Sequence, residues 1–426
     1  MSMEPVLTKN IVLRTGTTWL DDYEANGGYQ SLSKVIKMSP KDVIKEVSDS
    51  GLRGRGGAGF PTGMKWGSVL PLADDGLPRY IVCNFDEMEP GTFKDRYLVE
   101  GDPHQLLEGL LVAGYACQAS VGYIFIRLEY KKITQILRKA IHEAEAKGYI
   151  GKNIQGSGWS FEIHIHTSAG RYVAGEETGL LTALEGKPAN PRSKPPYPGT
   201  SGAWGRPTVV QNVETLSCVP HIFGNGAEWF KSLGNEGEAG TKIYGVSGKV
   251  KNPGCWEMPM GSTLREIIEG KAGGMREGYA FRAALPGGAS TRFMDESQLD
   301  VSLGFDSMKK LGLFSGTGTA IVVDDKTCPV AVCQNLEKFF ARESCGWCTP
   351  CREGLPWLEG ILRGLEAGQG QAGDVDMLIE LATNIGPNTY CALAMGAVQP
   401  LLSALDMFRK EFDEHIRLGK CPYAHE

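Results

Sequence analysis

The stretch Glu343-Ser344-Cys345-Gly346-Trp347-Cys348-Thr349-Pro350-Cys351-Arg352-Glu353-Gly354 decides how this chain is read. Three cysteines stand at C-x2-C-x2-C spacing, and a fourth, Cys391, follows forty residues later in Asn388-Thr389-Tyr390-Cys391-Ala392-Leu393. Thiolates so spaced wrap one corner of an iron–sulfur cubane, and a remote cysteine closes it. A tetrahedral zinc ion also takes four ligands, but usually as two C-x2-C or Cys/His pairs. No second pair follows along the chain, and no His lies near either half. The spacing therefore favours one [4Fe-4S] cluster on Cys345, Cys348, Cys351 and Cys391, with zinc and unligated structural cysteines as the competing readings. A two-cluster ferredoxin run would carry a further Cys at position 355, where Leu355 stands.

Around these cysteines the pattern is helical. Apolar periodicity predicts helices over 332–342, 353–365, 375–384 and 392–418, the last interrupted at Pro400, so that the cysteines sit on the loops of a bundle. Upstream, residues 241–250 and 254–260 read as a hairpin around Lys251-Asn252-Pro253, followed by a helix over 263–272 capped by Ser262 or Thr263 and by short strands up to 323. One helix on a small mixed sheet predicts a ubiquitin-like module. The Gly- and Glu-rich residues 232–240 read as a linker.

The N-terminal half carries nucleotide-site chemistry. Residues 1 to about 38 read as an irregular lead-in with one short helix over 31–37. Ser39 and Pro40 then cap and start a helix. Directly after it come Gly54, Arg55, Gly56, Gly57, Gly59, Phe60 and Lys65. Formally this is G-x-G-x-x-G, but it follows a helix rather than a strand, so the ordinary dinucleotide fold is not implied. Six glycines at 51, 54, 56, 57, 59 and 63 mixed with Arg53, Arg55 and Lys65 favour an anion or nucleotide site over a plain surface loop. Residues 79–84 read as a buried parallel strand. Asn84, Asp86, Glu87 and Glu89 then lie where open α/β sheets bind ligands, with a solvated acidic turn as the plainer reading. Helices are predicted over 104–118 and 133–147, and strands over 122–130 and 161–166. His164 and His166 share a strand face, and without a third ligand a polar face is the better reading than a metal pair. Tyr172, Gly175, Glu176 and Glu177 open a short helix over 180–184, whose two acids also suit its dipole. The Pro-rich residues 187–208 form a rigid loop.

Composition sets outer limits. At 426 residues and a net charge of −6, the chain has room for about three domains and no nucleic-acid footprint. Eleven cysteines in no disulfide-like spacing, with no signal peptide, favour a reducing cytoplasmic compartment. No stretch reaches the apolar length of a membrane span, so membrane association is expected only through a partner.

Six blocks occur in one order: 54–63 (GRGGAGFPTG), 86–96 (DEMEPGTFKDR), 175–178 (GEET), 190–198 (NPRSKPPYP), 212–215 (NVET) and 343–354 (ESCGWCTPCREG). With Cys391 they make the chain resemble the NADH- and FMN-binding flavoprotein subunit, of 51-kDa type, of NADH:quinone oxidoreductase, respiratory complex I. The resemblance implies an α/β + α architecture. A modified Rossmann-like FMN/NADH domain would span residues 1–235, a ubiquitin-like β-grasp domain 236–328, and a C-terminal four-helix bundle holding the [4Fe-4S] cluster 329–426. It implies NADH oxidation by hydride transfer to FMN and single-electron transfer to the cluster. It also implies two partners, a thioredoxin-like [2Fe-2S] subunit and a large iron–sulfur subunit, and a place on the cytoplasmic face of the inner membrane. A diaphorase subunit of a soluble NAD-linked hydrogenase or formate dehydrogenase shares these motifs and is the alternative.

By the same resemblance Gly54, Gly56 and Gly57 floor the site, Phe60 stacks on an NADH ring and Lys65 contacts the nucleotide. Asn84, Asp86 and Glu87 line the flavin and its ribityl chain. Tyr172, Gly175 and Glu176 border the isoalloxazine, and Val210, Asn212 and Thr215 meet the FMN tail. Glu89 and Glu177 face the NADH sugar, and Tyr197 walls the adenine. Four positions depart from the family pattern: Phe85, Ala174, Gln211 and Ser68. Phe85 is expected to crowd the flavin and Ser68 to weaken two-sided stacking on NADH.

Overall fold

The computed structural model describes residues 4–12, 16–72, 75–235 and 237–423. Its first half is built on a parallel sheet of β1 (Tyr80–Phe85), β2 (Val121–Arg127), β3 (Glu162–Ser168) and β4 (Thr208–Asn212), in the order β3-β2-β1-β4. β1 is a continuous apolar run because both faces of this sheet are covered. Ile81, Cys83 and Phe85 face one core with Ile124 and Ile126; Val82 faces another with Phe125, Leu180 and Val210.

The helices follow from their caps and faces. α1 (Pro40–Asp49) starts where Ser39 Oγ accepts from Asp42 N, with Pro40 in the first turn. α2 (Lys94–Gly101) and α3 (Pro103–Ala116) connect β1 to β2, and α3 is capped by Asp102 and buried on nearly all sides. α4 (Lys131–Ala146) connects β2 to β3; α5 (Glu177–Leu184) covers the second face; α6 (Val213–Asn225) follows β4. The chain grows outward from β1 to β3 and then crosses back to β4, so the strand order reverses between β1 and β4. In open α/β sheets ligands bind at such a reversal, beyond the carboxyl ends of the strands.

The lead-in is more ordered than expected. Short helices span Lys9–Val12, Leu20–Ala25 and Gln30–Val35. Two acids distant in sequence hold it. Glu108 of α3 accepts from Tyr23 Oη at 2.6 Å, Tyr29 N at 2.9 Å and Leu32 N at 3.0 Å. Glu257 accepts from the backbone N–H groups of Val6, Leu7 and Thr8.

A second, mixed sheet comprises β5 (Thr241–Ser247), β6 (Gly254–Pro259), β7 (Phe281–Leu285) and β8 (Thr319–Asp324), ordered β6-β5-β8-β7. β5–β6 is the predicted hairpin. The predicted helix is present, but Glu266–Lys271 is wound as a π-helix. Its start is a reciprocal pair: Thr263 N donates to Glu266 Oε2 and Glu266 N to Thr263 Oγ1. The residues expected as a linker are packed, with Asn235 N bonded to Met260 O.

The C-terminal part is helical: α7 (Pro329–Glu343), α8 (Thr349–Glu366), α9 (Asp374–Ile385) and α10 (Ala392–Leu418). α10 runs through Pro400 rather than stopping there; its departure from helical dihedrals falls at Phe408. The bundle shares one core with Val173 of the first half and Leu285 and Phe293 of the mixed sheet. Among the described residues, no helix is long and apolar enough to cross a membrane.

Candidate functional site

The glycine loop lies beside the strand reversal. A Cβ on Gly56 would stand 3.2 Å from Asn212 Cβ, at the end of β4. A Cβ on Gly59 would meet the Phe305 ring at 2.5 Å, and its φ of +63° suits glycine. Gly54 N and Phe60 O close the loop at 2.9 Å. Phe60 and Tyr197 remain exposed, at 51% and 62%. Two large aromatic faces open to solvent beside bare backbone are what a stacked ring system needs.

The strand ends supply polar groups. Asn84 Nδ2 donates to Gly175 O at 2.8 Å and Asn84 Oδ1 accepts from Asp86 N at 3.1 Å. Asp86 is buried; its Oδ1 accepts from Ser168 Oγ at 2.8 Å, but its Oδ2 has no partner. Burial pushes the Asp86 carboxyl up to about 7, against the pull of Ser168 and Arg127. Gln211 Nε2, on β4, is likewise buried without a partner. Orphaned buried polar atoms at a strand reversal fit a polar ligand that completes them. Asn212 caps α6 through Glu214 N and is held from behind by Asp95, to which its Nδ2 donates at 2.6 Å. Thr215 Oγ1 accepts from Arg55 N at 2.8 Å and ties the glycine loop to α6.

Glu177 stands between two lysines. Its carboxylate is 2.6 Å from Lys65 Nζ and 2.8 Å from Lys194 Nζ, with about a fifth of its side chain exposed. Burial alone would raise its pKa, but the two ammonium groups outweigh burial and hold it below the usual value. Lys65 also donates to Val210 O at 2.9 Å.

Several of the expected site residues also make ties within the fold. Arg55 is buried and its Nη2 donates to Ala239 O at 2.7 Å, so the guanidinium faces inward. Arg53 is spent on Gly59 O, Asp306 and the Phe305 ring. Glu87 caps α2, accepting from Asp95 N and Arg96 N, and also holds Tyr130 Oη. Glu176 caps α5 through Thr178 N and Gly179 N, both at 2.8 Å. Glu89 accepts from Tyr172 Oη at 2.6 Å and from Ser290 N and Oγ at 2.7 Å, joining the first half to the mixed sheet. Phe85 does not crowd the strand ends: strand alternation turns it into the core against Tyr130. Ser68 packs against Gly199, whose added Cβ would lie 2.2 Å from Ser68 Oγ, so the Pro-rich loop occupies the space a larger side chain would need.

The cysteines gather at the near end of the bundle. Cys348 is the N-cap residue of α8, Pro350 opens that helix, and Cys391 is the N-cap residue of α10. Two helix N-termini thus bring partial positive charge to where an anionic group would sit. Gly346 has φ +80°, which the tight loop requires. Burial pushes the Cys391 thiol up to about 11, with Glu176, Cys345 and Cys351 adding to it. Burial also raises Cys351, with Cys345 and Cys348 adding. Four thiols gathered at two helix N-termini, with no histidine among them, suit the all-thiolate ligation of an iron–sulfur cluster.

Comparisons with known proteins point to the same two kinds of cofactor. Residues 47–221 match the family described as Nuo51 FMN-binding domain, 331–415 the NADH-ubiquinone oxidoreductase-F iron-sulfur binding region, and 243–293 the SLBB domain. The NADH-quinone oxidoreductase F subunit of Escherichia coli (strain K12) is 54% identical over 401 residues, 94% of this chain and 90% of that one. The chain belongs to the family of NADH-quinone oxidoreductase F subunits. The member from Streptomyces coelicolor is 45% identical over 95% of this chain and 89% of its own length. A solved NAD+-reducing [NiFe]-hydrogenase chain, in the air-oxidized state, superposes with a TM-score of 0.80 at 36% identity. The match covers 89% of this chain but only 63% of the hydrogenase chain. As members of this family do, the chain carries an FMN-binding part and a 4Fe-4S part.

Sequence reading missed the positioning groups. Ser168 and Ser290 have no local signature, and Lys194 lies inside the 190–198 block with nothing to mark its partner; only folding brings them to Asp86, Glu89 and Glu177. Lys94 and Asp95 lie inside the 86–96 block, yet their burial with Glu214, 2.8 Å from Lys94 Nζ, was not legible.

Proposed function

We propose that this chain is the electron-entry subunit of an NADH:quinone oxidoreductase. When bound, FMN takes two electrons from NADH as hydride and returns them singly, which matches a one-electron iron–sulfur acceptor. The chain's own work is positioning. Phe60 and Tyr197 offer stacking faces, Asn84 and Asp86 hold the polar edge of the flavin site, and Asn212 and Thr215 steady the end of β4 beside the glycine loop. Glu177 receives the NADH sugar between Lys65 and Lys194. Cys345, Cys348, Cys351 and Cys391 hold the cluster.

One observation carries this reading. The segment from Gly170 to Glu177 touches both sites. On one side Gly175 O accepts from Asn84 Nδ2. On the other Arg171 Nη2 donates to Ser344 O at 3.0 Å and Tyr172 N donates to Glu343 Oε2 at 2.9 Å, at the entrance to the cysteine loop. An enzyme that moves electrons between two cofactors needs this adjacency.

The finer architecture follows the same reading: a modified Rossmann-like domain over 1–235, a ubiquitin-like β-grasp domain over 236–328 and a four-helix cluster domain over 329–426. The partners would be a thioredoxin-like [2Fe-2S] subunit and a large iron–sulfur subunit, with the membrane's cytoplasmic face reached only through the complex. The purified chain loaded with FMN and cluster should reduce ferricyanide from NADH but not quinone. Efficient quinone reduction by the chain alone would sink the subunit reading. The likeness to the hydrogenase chain supports a second reading, a diaphorase subunit of a soluble NAD-linked hydrogenase or formate dehydrogenase. Purification of the native complex with membranes and quinone reductase activity would exclude it.

A further inference from the structure

Folding makes a second cysteine pair that the linear sequence does not show. Cys328 is the N-cap residue of α7, Glu366 ends α8, His415 lies in the last turn of α10, and Cys421 follows α10. Their four donor atoms all lie within 4.8 Å of one another. Cys328 Sγ is 3.0 Å from Glu366 Oε1 and 3.4 Å from His415 Nε2, and His415 Nε2 is 3.0 Å from Glu366 Oε1. We propose that these two cysteines, one histidine and one glutamate form a structural zinc site, distinct from the iron–sulfur centre.

The donor set and its spacing both suit the ion. Zinc takes thiolate sulfur at about 2.3 Å and imidazole or carboxylate donors at about 2.0–2.2 Å; at tetrahedral angles neighbouring donors then stand about 3.3–3.8 Å apart. The observed edges need to open by only a few tenths of an ångström. The second shell is also in place. His415 Nδ1 lies 2.6 Å from Glu411 O, so Nδ1–H donates to that carbonyl and Nε2 is left as the lone-pair donor. Nε2 faces the Glu366 carboxylate at 3.0 Å, a contact that either a proton on Nε2 or a metal ion between the two groups satisfies. Cys328 and His415 are buried, whereas Glu366 and Cys421 are partly exposed and give the ion a way in.

The site is remote from the cluster. Cys351 and Glu366 are fifteen residues apart on α8, roughly 22 Å at helical rise. Cys391 and His415 are separated by roughly 36 Å along α10. One metal group would therefore close each end of the bundle. At the far end zinc would clasp the start of α7, the end of α8, the end of α10 and the following tail. Binding exchanges the protons of the two thiols, and of His415 where it is charged, for one Zn²⁺. No electron moves, because zinc has no redox chemistry here.

The test uses the full chain with FMN and cluster in place. Metal analysis should find about one equivalent of zinc per chain beyond the cluster iron. After treatment with a zinc chelator and titration with Co²⁺, thiolate-to-cobalt charge-transfer and tetrahedral d–d bands should appear. Both signals should be lost in Cys421→Ser and in His415→Ala, while the cluster EPR signal and NADH:ferricyanide activity persist in Cys421→Ser. The cobalt spectrum of the unmutated chain stands independently of whether either variant folds. Absence of zinc together with absence of a thiolate–cobalt band would overturn the proposal and leave a hydrogen-bonded His415–Glu366 ion pair. A zinc signal that survives Cys421→Ser but disappears in Cys345→Ala would overturn it as well, placing the metal in the cluster loop.

Discussion

Glu177→Gln should shift the donor preference from NADH towards NADPH. The substitution keeps the side chain's shape and hydrogen-bonding capacity and removes one negative charge. That charge is present throughout the neutral range, because Lys65 at 2.6 Å and Lys194 at 2.8 Å hold the carboxylate ionised. With Glu177 placed at the ribose, a 2′-phosphate would sit about 4 Å from the carboxylate. Repulsion there is about 1 kcal/mol per unit charge in bulk water and about 4 kcal/mol at an effective dielectric near 20. A fifth of the side chain is exposed, so the true value lies inside that bracket. At 1.4 kcal/mol per tenfold, the ratio of kcat/KM for NADPH to that for NADH should rise by about fivefold to several hundredfold. Removing the carboxylate also leaves Lys65 and Lys194 unneutralised, which acts in the same direction. The ion pairs are partly exposed, so their loss should cost only about 1 kcal/mol of stability each at most, and the protein should stay folded. The assay is steady-state ferricyanide reduction with each donor, at low and high salt. The gain should shrink as salt rises. An unchanged ratio in a folded variant would refute the reasoning. Glu89 is the weaker alternative, since Tyr172 and Ser290 already occupy its two oxygens.

Three further outcomes are expected. Cys391→Ala should abolish most of the low-temperature EPR signal of the reduced cluster, whereas Cys83→Ala and Cys117→Ala, both buried in the first core, should retain it. The raised carboxyl of Asp86 sets a pH dependence in the cofactor-free chain. Its folded pKa, about 7, lies above the ordinary 3.8, so between those values the folded state binds more protons than the unfolded state and stability falls as pH rises. Asp86→Asn should remove that slope, at most about 1.4 kcal/mol per pH unit, so its Tm relative to the unmutated chain should climb from pH 4 to pH 7; a constant difference would count against it. Lys94 is buried 2.6 Å from Asp95 and 2.8 Å from Glu214, so Lys94→Met should cost about 3–5 kcal/mol in denaturant unfolding, and adding Glu214→Gln should recover part of it.

The apolar run of residues 79–84, the cap at Ser39, and the spacing of Cys345, Cys348 and Cys351 are local properties, and they were legible in the sequence. Helix periods, turn chemistry and ligand spacing act over a few residues, so elements, their order and the cluster loop could be read directly. The nucleotide cleft was legible only as a collection of blocks. Which members face a ligand and which merely hold the fold depends on long-range partners. Glu87 and Glu176 look like ligand acids along the chain, but each satisfies the N–H groups of a helix start, because unpaired backbone donors there demand an acceptor. Arg55 looks like a phosphate cation, yet it is drawn inward to Ala239 O beneath the loop. Phe85 was legible as an obstruction until strand pairing set which face it takes. The gathering of Cys328, Glu366, His415 and Cys421 lay beyond any sequence reading. These residues come from the ends of three helices and a tail, and only the packing of the bundle brings their donor atoms within reach of one another.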